Sequence, residues 1–120
     1  MSPANDSDVL QNLKLELRRG TVVLAVLSQL EAPRHGYGLR KVLADQGLTV
    51  DENTLYPLLR RLESQGLLDS QWREEEKRSK RFYRLSPTGR STLAQLLDEW
   101  DAIDAALRRL AESSRKRRVR

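Results

Sequence analysis

Residues 51–66 read Asp51-Glu52-Asn53-Thr54-Leu55-Tyr56-Pro57-Leu58-Leu59-Arg60-Arg61-Leu62-Glu63-Ser64-Gln65-Gly66. Leu55, Leu58, Leu59 and Leu62 recur at i, i+3, i+4 and i+7, the spacing that lines one face of an α-helix. Asn53, Tyr56, Pro57, Arg60, Arg61 and Ser64 share the opposite face. Asp51 is placed to cap this helix and Gly66 to stop it. Pro57 suits a first turn better than a helix interior, so either the helix starts nearer Asn53 or a bend is tolerated there. The leucine face needs a core behind it, while the outer face presents amide, hydroxyl and guanidinium groups to a partner.

Upstream, Asp6, Ser7 or Asp8 caps a first helix with Val9, Leu10, Leu13 and Leu17 on one face. After Gly20, Thr21 to Leu30 is apolar almost all round and ends before Pro33, the pattern of a central buried helix. A shorter helix over Tyr37 to Gln46, with Leu39, Val42 and Leu43 on one side, ends at Gly47. Downstream, Leu67 to Arg73 and Lys80 to Leu85 read as two strands of a β-hairpin joined by the charged stretch Glu74 to Ser79. Ser86 followed by Pro87 opens a long last helix, as an N-cap followed by proline at the first helical position.

Helices followed by a two-stranded hairpin, with a short link from Gly47 to Asp51, is the order of a winged helix-turn-helix. The expected fold is therefore mainly α with a small β-hairpin. Residues 1–19 form an N-terminal helix that supports a dimer, 20–86 the winged helix-turn-helix, 87–112 a C-terminal dimerisation helix and 113–120 a basic disordered tail.

Composition narrows the chemistry. The chain has 120 residues, 38% of them hydrophobic and 32% charged, which fits a single domain with a modest core. Its longest apolar run, Val22 to Leu27, is far short of the roughly 20 residues that span a membrane. No basic-then-apolar signal segment opens it either, so a cytoplasmic protein is expected. With no cysteine and one histidine, disulfides, thiol nucleophiles and multi-histidine metal centres are excluded, and no nucleophile–base pair or phosphate-cradling loop takes their place. No enzyme activity, metal or cofactor is expected. Asp98, Glu99, Asp101 and Asp104 read as a solvated helix face, Trp72 and Phe82 as hairpin packing, and His35 as a loop residue without chemistry.

The net charge of +5 is unevenly spread: residues 108–120 hold seven Lys and Arg against one acid, while residues 33–90 hold twelve bases and eight acids. Asn53, Thr54, Tyr56 and Arg60 on the central helix are suited to base edges, with Pro57 between them. Lys41, Arg61 and the hairpin cations Lys77, Arg78, Lys80 and Arg81 are suited to phosphates. Double-stranded DNA is the expected partner. The alternative, a winged-helix module that only binds protein, calls for an acidic or apolar recognition face, which Asn53, Arg60 and Arg61 contradict.

The last helix carries Leu93, Leu97, Trp100, Ile103, Leu107 and Leu110 at alternating four- and three-residue steps, a stripe that outlasts a small domain. With Leu10, Leu13 and Leu17 it predicts an isologous homodimer, and a dimer predicts a palindromic operator.

The residues also resemble the PadR-like transcriptional regulators, from about Gly20 to Trp100. The likeness lies in Gly36-Tyr37-Gly38, Thr54-Leu55-Tyr56-Pro57-Leu58-Leu59, Arg61-Leu62-Glu63, Gly66-Leu67, Trp72, Tyr83-Arg84-Leu85-Ser86 and Thr88-Gly89-Arg90. It departs from the family pattern at Asn53, where glycine is common, and in Glu74-Glu75-Glu76, where no glycine precedes Lys77. A single helix after the wing resembles the short branch of the family, which includes multidrug-sensing repressors with a ligand space at the dimer centre. The resemblance implies a bacterial homodimeric repressor and a Tyr37 hydroxyl on a phosphate, although Tyr37 equally suits packing. Trp100, one large aromatic residue in an otherwise aliphatic stripe, is placed to line a space for a small planar aromatic effector at the dimer axis, as the resemblance also implies. Leu97 lies beside it, and Asp104, one turn later, favours cationic ligands if it faces inward. A plain core role for Trp100, with Leu96 and Leu97 filling the gap, stands beside this on equal terms.

Overall fold

A computed structural model describes residues 6–119, without the side chains of residues 118 and 119. Its elements in chain order are α1 (Asp6–Ser28), β1 (Arg34–His35), α2 (Gly36–Asp45), α3 (Glu52–Ser64), β2 (Leu68–Glu75), β3 (Arg78–Leu85) and α4 (Pro87–Val119). β1, β3 and β2 form one antiparallel sheet in that order, with Arg34 opposite Tyr83 and the hairpin register running from Leu68–Leu85 out to Glu75–Arg78. The architecture is a winged helix with a helical arm at each end.

The core sits where the three central helices meet the base of the hairpin. Leu55, Leu58, Leu59 and Leu62 of α3 are buried there, as their spacing requires, with Val26 and Leu27 of α1, Leu39 and Leu43 of α2, and Leu68, Tyr83 and Leu85 from the strands. Both short helices end as expected. The Gly47 and Leu48 amides bond back to Ala44 and Leu43, and the Gly66 and Leu67 amides to Glu63 and Leu62. Such a reversal needs the left-handed backbone that Gly47 (φ 90°) and Gly66 (φ 80°) supply.

Four features differ from the sequence reading. First, α1 is continuous through Gly20, so the boundary drawn at residues 19 and 20 falls inside a helix. A single interior glycine costs a helix only about 1 kcal/mol, and burial of Val22, Val26 and Leu27 outweighs it. Second, the hairpin is longer and tighter: Glu74, Glu75, Arg78 and Ser79 pair within the strands, leaving Glu76 and Lys77 as a two-residue turn. Third, Arg34 and His35 add a short strand beside β3, which two residues could not announce by periodicity. Fourth, the segment expected to be disordered from Ser113 continues α4 as helix to Val119. Residues 1–5 of the expected N-terminal helix and Arg120 of the expected tail lie outside the described residues.

The dimer stripe is also corrected at one end. Leu93 is 6% exposed and belongs to the protomer's own core, whereas Leu97, Trp100, Ile103, Leu107 and Leu110 further along α4 are open. α4 spans about 50 Å at 1.5 Å per residue. The radius of gyration is 18.2 Å, against about 14 Å for a compact chain of this length. α1 and α4 pack against each other, and no helix among the described residues is long and apolar enough to cross a membrane.

Candidate nucleic-acid interface

Asp51 caps α3: its carboxylate accepts from the Asn53 amide at 3.1 Å while its backbone carbonyl accepts from Thr54 and Leu55. The helix therefore starts at Glu52, and Pro57 sits in its interior. Proline has no N–H to offer the Asn53 carbonyl one turn back, so that carbonyl goes without its helical bond. Asn53, Thr54, Pro57, Arg60 and Arg61 are all exposed on the face away from the leucines.

Tyr56 has a packing role as well. It is half-buried and packs over Gly36; a Cβ at Gly36 would lie 2.1 Å from the Tyr56 ring. The glycine that opens α2 is thus a clearance for the tyrosine of α3, and Tyr56 is first a contact between the two helices.

α2 is held by a group that residue pattern alone gave no role. His35 is its N-cap, with Nδ1 accepting from the Gly38 amide at 3.1 Å. The ring also meets Phe82 edge-on at 5.2 Å and stacks on Tyr37 at 6.5 Å. Nδ1 must be the unprotonated nitrogen for this cap. Tyr37 itself is 66% exposed and Lys41 is exposed one turn later. Arg40, which no sequence motif distinguishes, bonds the Val50 carbonyl at 3.2 Å and pairs with Glu52 at 3.6 Å, bracing the turn between α2 and α3.

The wing cations separate into two sets. Lys77 and Arg78 are exposed at the tip. Lys80 and Arg81 are committed inside the protomer. Lys80 pairs with Glu75 at 3.3 Å, and Arg81 pairs with Glu63 at 2.9 Å and donates to the Ser70 hydroxyl at 3.0 Å. Arg81 is thus not a free phosphate contact. Strand alternation places it on the face toward α3, whereas Arg78, Lys80 and Arg73 lie on the other face. Tyr83 lies beside Arg81, and burial pushes its phenol above the usual 10.0, against an opposing pull from the Arg81 guanidinium.

The motifs after the hairpin serve its attachment. The Ser86 hydroxyl accepts from the Gly89 amide at 2.9 Å and donates to the Gly66 carbonyl at 2.6 Å, while its own amide donates to the Leu67 carbonyl at 3.0 Å. One serine therefore caps α4 and ties it to the end of α3.

Residues 23–95 match the model of the Transcriptional regulator PadR-like family. The chain is 40% identical over 81 residues to the transcriptional regulator Rv3488 of Mycobacterium tuberculosis, covering 67% of this chain and 76% of that protein. A PadR family transcriptional regulator from Eggerthella lenta superposes with a TM-score of 0.82 at 44% identity, covering 88% of this chain and 95% of that one. A transcriptional regulator from Clostridium thermocellum gives a TM-score of 0.71 at 30% identity, covering 78% of this chain and 96% of that one.

Proposed function

The chain belongs to the PadR-like family of transcriptional regulators, and on that premise we propose that it is a homodimeric repressor of palindromic double-stranded DNA, relieved by a small planar aromatic effector. Its role is regulatory, not catalytic. The observation that carries the DNA reading is the outward face of α3, where Asn53, Thr54, Arg60 and Arg61 stand exposed opposite four buried leucines. Asn53, Thr54 and Arg60 read bases, supported by Tyr56 and Pro57. Tyr37, Lys41, Arg61, Lys77 and Arg78 hold phosphates, with Lys80 joining them only by leaving Glu75.

The dimer reading rests on unpartnered apolar surface. Of the twelve large hydrophobic side chains exposed among the described residues, ten lie on α1 and α4, including Leu10, Leu13, Leu17, Leu97, Ile103, Leu107 and Leu110. Along α4, Leu97, Trp100, Ile103, Leu107 and Leu110 follow one stripe, and a monomer rarely leaves an apolar stripe of this length open. Two heads related by a two-fold axis address half-sites about one or two helical turns apart, roughly 10 or 20 base pairs. Trp100 is 36% exposed within this stripe, with Leu97 one turn before it and Asp104 one turn after it. Asp104 is already bonded to Arg108 at 3.2 Å, so it contributes little net charge to an effector unless Arg108 swings away.

A duplex selected from a random-sequence pool by the full chain tests this reading. Arg60→Ala is expected to relax preference at particular bases, and Lys77→Ala with Arg78→Ala to weaken all duplexes and flatten the salt dependence. Light scattering is expected to give a dimer that Leu107→Glu dissociates. In a Trp72→Phe background, planar cationic dyes are expected to quench Trp100 and lower DNA affinity in parallel. Equal losses on selected and random duplexes for every variant, or a wild-type monomer, would overturn the corresponding part.

A further inference from the structure

Three side chains close a ring between the end of the recognition helix and the middle of the wing. Arg81 Nη2 donates to Glu63 Oε1 at 2.9 Å, Arg81 Nε donates to the Ser70 hydroxyl at 3.0 Å, and that hydroxyl donates to Glu63 Oε2. Both oxygens of the carboxylate are therefore engaged. The guanidinium also lies over Tyr83 and Trp72, with its central carbon 5.5 and 5.8 Å from the two ring centres. The Arg81 and Glu63 side chains are 37% and 28% exposed, so the pair is shielded more than an ordinary surface ion pair.

The placement of this ring matters more than its strength. Glu63 lies three residues after Arg60 on α3, while Ser70 and Arg81 sit on β2 and β3. The backbone joins α3 to β2 only through Gln65, Gly66 and Leu67, and Gly66 carries a left-handed turn. Core packing of Leu68, Tyr83 and Leu85 and the pairing of β1 with Phe82 and Tyr83 fix the base of the hairpin, and Arg81 is the first residue of β3 beyond that support, so the ring braces the part that projects. Beyond the Trp72–Arg81 pair only three further cross-strand pairs and the turn remain before the tip. A small rotation at the ring therefore displaces Lys77 and Arg78 relative to Asn53 and Arg60.

We propose that Arg81 is a positioning residue of the DNA interface: clamped by Glu63 and Ser70, it sets the angle of the wing to the recognition helix and does not itself hold a phosphate. This rests on the DNA-binding reading above. It makes a prediction opposite in sign to simple electrostatics. Glu63 is an anion close to the surface assigned to a polyanion, so charge alone says that Glu63→Gln tightens DNA binding. A clamp says that it loosens binding, because Arg81 loses the carboxylate that orients it. Arginine's planar fork also meets Ser70 and Glu63 together, which a lysine ammonium cannot reproduce, whereas a plain phosphate contact largely survives Arg81→Lys.

The test measures dissociation constants by fluorescence anisotropy across a salt series. The probes are a duplex selected by the wild-type chain from a random pool and a random duplex of equal length. Glu63→Gln and Arg81→Gln are each expected to weaken the selected duplex by about tenfold, and the double variant by no more than about tenfold in total, since both remove one interaction. The random duplex should weaken less than the selected one, any change of salt slope should be the same in Glu63→Gln as in Arg81→Gln, and Arg81→Lys should not restore affinity. Circular dichroism establishes that each variant is folded; should Arg81→Gln fail this check, Ser70→Ala carries the same expectation with a smaller loss. Unchanged or tighter binding by Glu63→Gln overturns the proposal. So does a salt slope shallower by about 0.9 in Arg81→Gln with no such change in Glu63→Gln, the pattern expected when Arg81 itself neutralises one phosphate. A wild-type chain that selects no duplex refutes the DNA reading itself and the clamp with it, so the two failures are told apart by the wild-type arm.

Discussion

Gly20 and Gly89 are both helical glycines, yet the same substitution should act on them with opposite sign. A Cβ at Gly89 would stand 2.0 Å from the Leu67 carbonyl oxygen, an approach that side-chain motion cannot relieve because the obstacle is backbone. To admit it, the first turn of α4 must move away by about 1 Å or more, at the point where the Ser86 amide bonds Leu67 and its hydroxyl caps the Gly89 amide. Overpacking, a weakened cap and a stretched buried hydrogen bond together cost more than alanine's helical preference returns, leaving Gly89→Ala destabilised by about 2–4 kcal/mol. At Gly20 nothing lies within 4 Å of the added carbon, so alanine there should stabilise by about 0.5–1 kcal/mol. Urea unfolding followed by circular dichroism at one fixed protein concentration reads both, and the Gly89→Ala midpoint should fall by about 1–2 M. A Gly89→Ala midpoint equal to the wild type, or a Gly20→Ala midpoint that falls as far, would refute the steric argument.

The wing turn is the next target. Glu76 (φ 55°) and Lys77 (φ 64°) occupy left-handed backbone that suits Asn-Gly, so Glu76→Asn with Lys77→Gly should raise stability by about 1 kcal/mol and the thermal midpoint by a few degrees. Tyr83 should impose a pH dependence: its phenol ionises near 10.0 in the unfolded chain but above that in the fold, so stability is intact below 10.0 and lost as pH rises through the folded value. Tyr83→Phe should flatten that alkaline slope in pH-dependent urea titrations. His35→Ala removes the α2 cap and should cost about 1 kcal/mol in equilibrium unfolding, with most of the loss recovered in His35→Asn.

The fold was legible wherever local chemistry repeats along the chain. The leucine spacing of α3, the Asp51 and Ser86 caps and the glycines after α2 and α3 each act within a turn or two of their own backbone, and each is seen where expected. Periodicity likewise exposed the open stripe on α4, although it ran one residue too far: Leu93 and Leu97 obey the same spacing, and only the position of the body beneath them buries one and leaves the other exposed. Gly20 misled because its local cost is small beside the burial of Val22, Val26 and Leu27, which lie on one helix only once the core exists.

The interface was legible by residue type but not by orientation. Hydrogen-bonding and cationic residues cluster in α3 and the hairpin, and that much the residues determined alone. Whether an arginine reaches outward or inward depends on which face of the sheet its register gives it and on what stands opposite across the tertiary structure. Arg78 and Arg81 are alike in sequence, but Arg81 lies opposite Trp72 on the face toward Glu63 and is bound there, while Arg78 stays exposed at the tip. Tyr56 and Gly36 are twenty residues apart and became one contact only when α2 and α3 crossed. Composition and spacing thus determined the elements and the kind of surface they carry. Tertiary packing decided which side chains remain available, because partners distant in the chain take up donors and apolar area that no local pattern records.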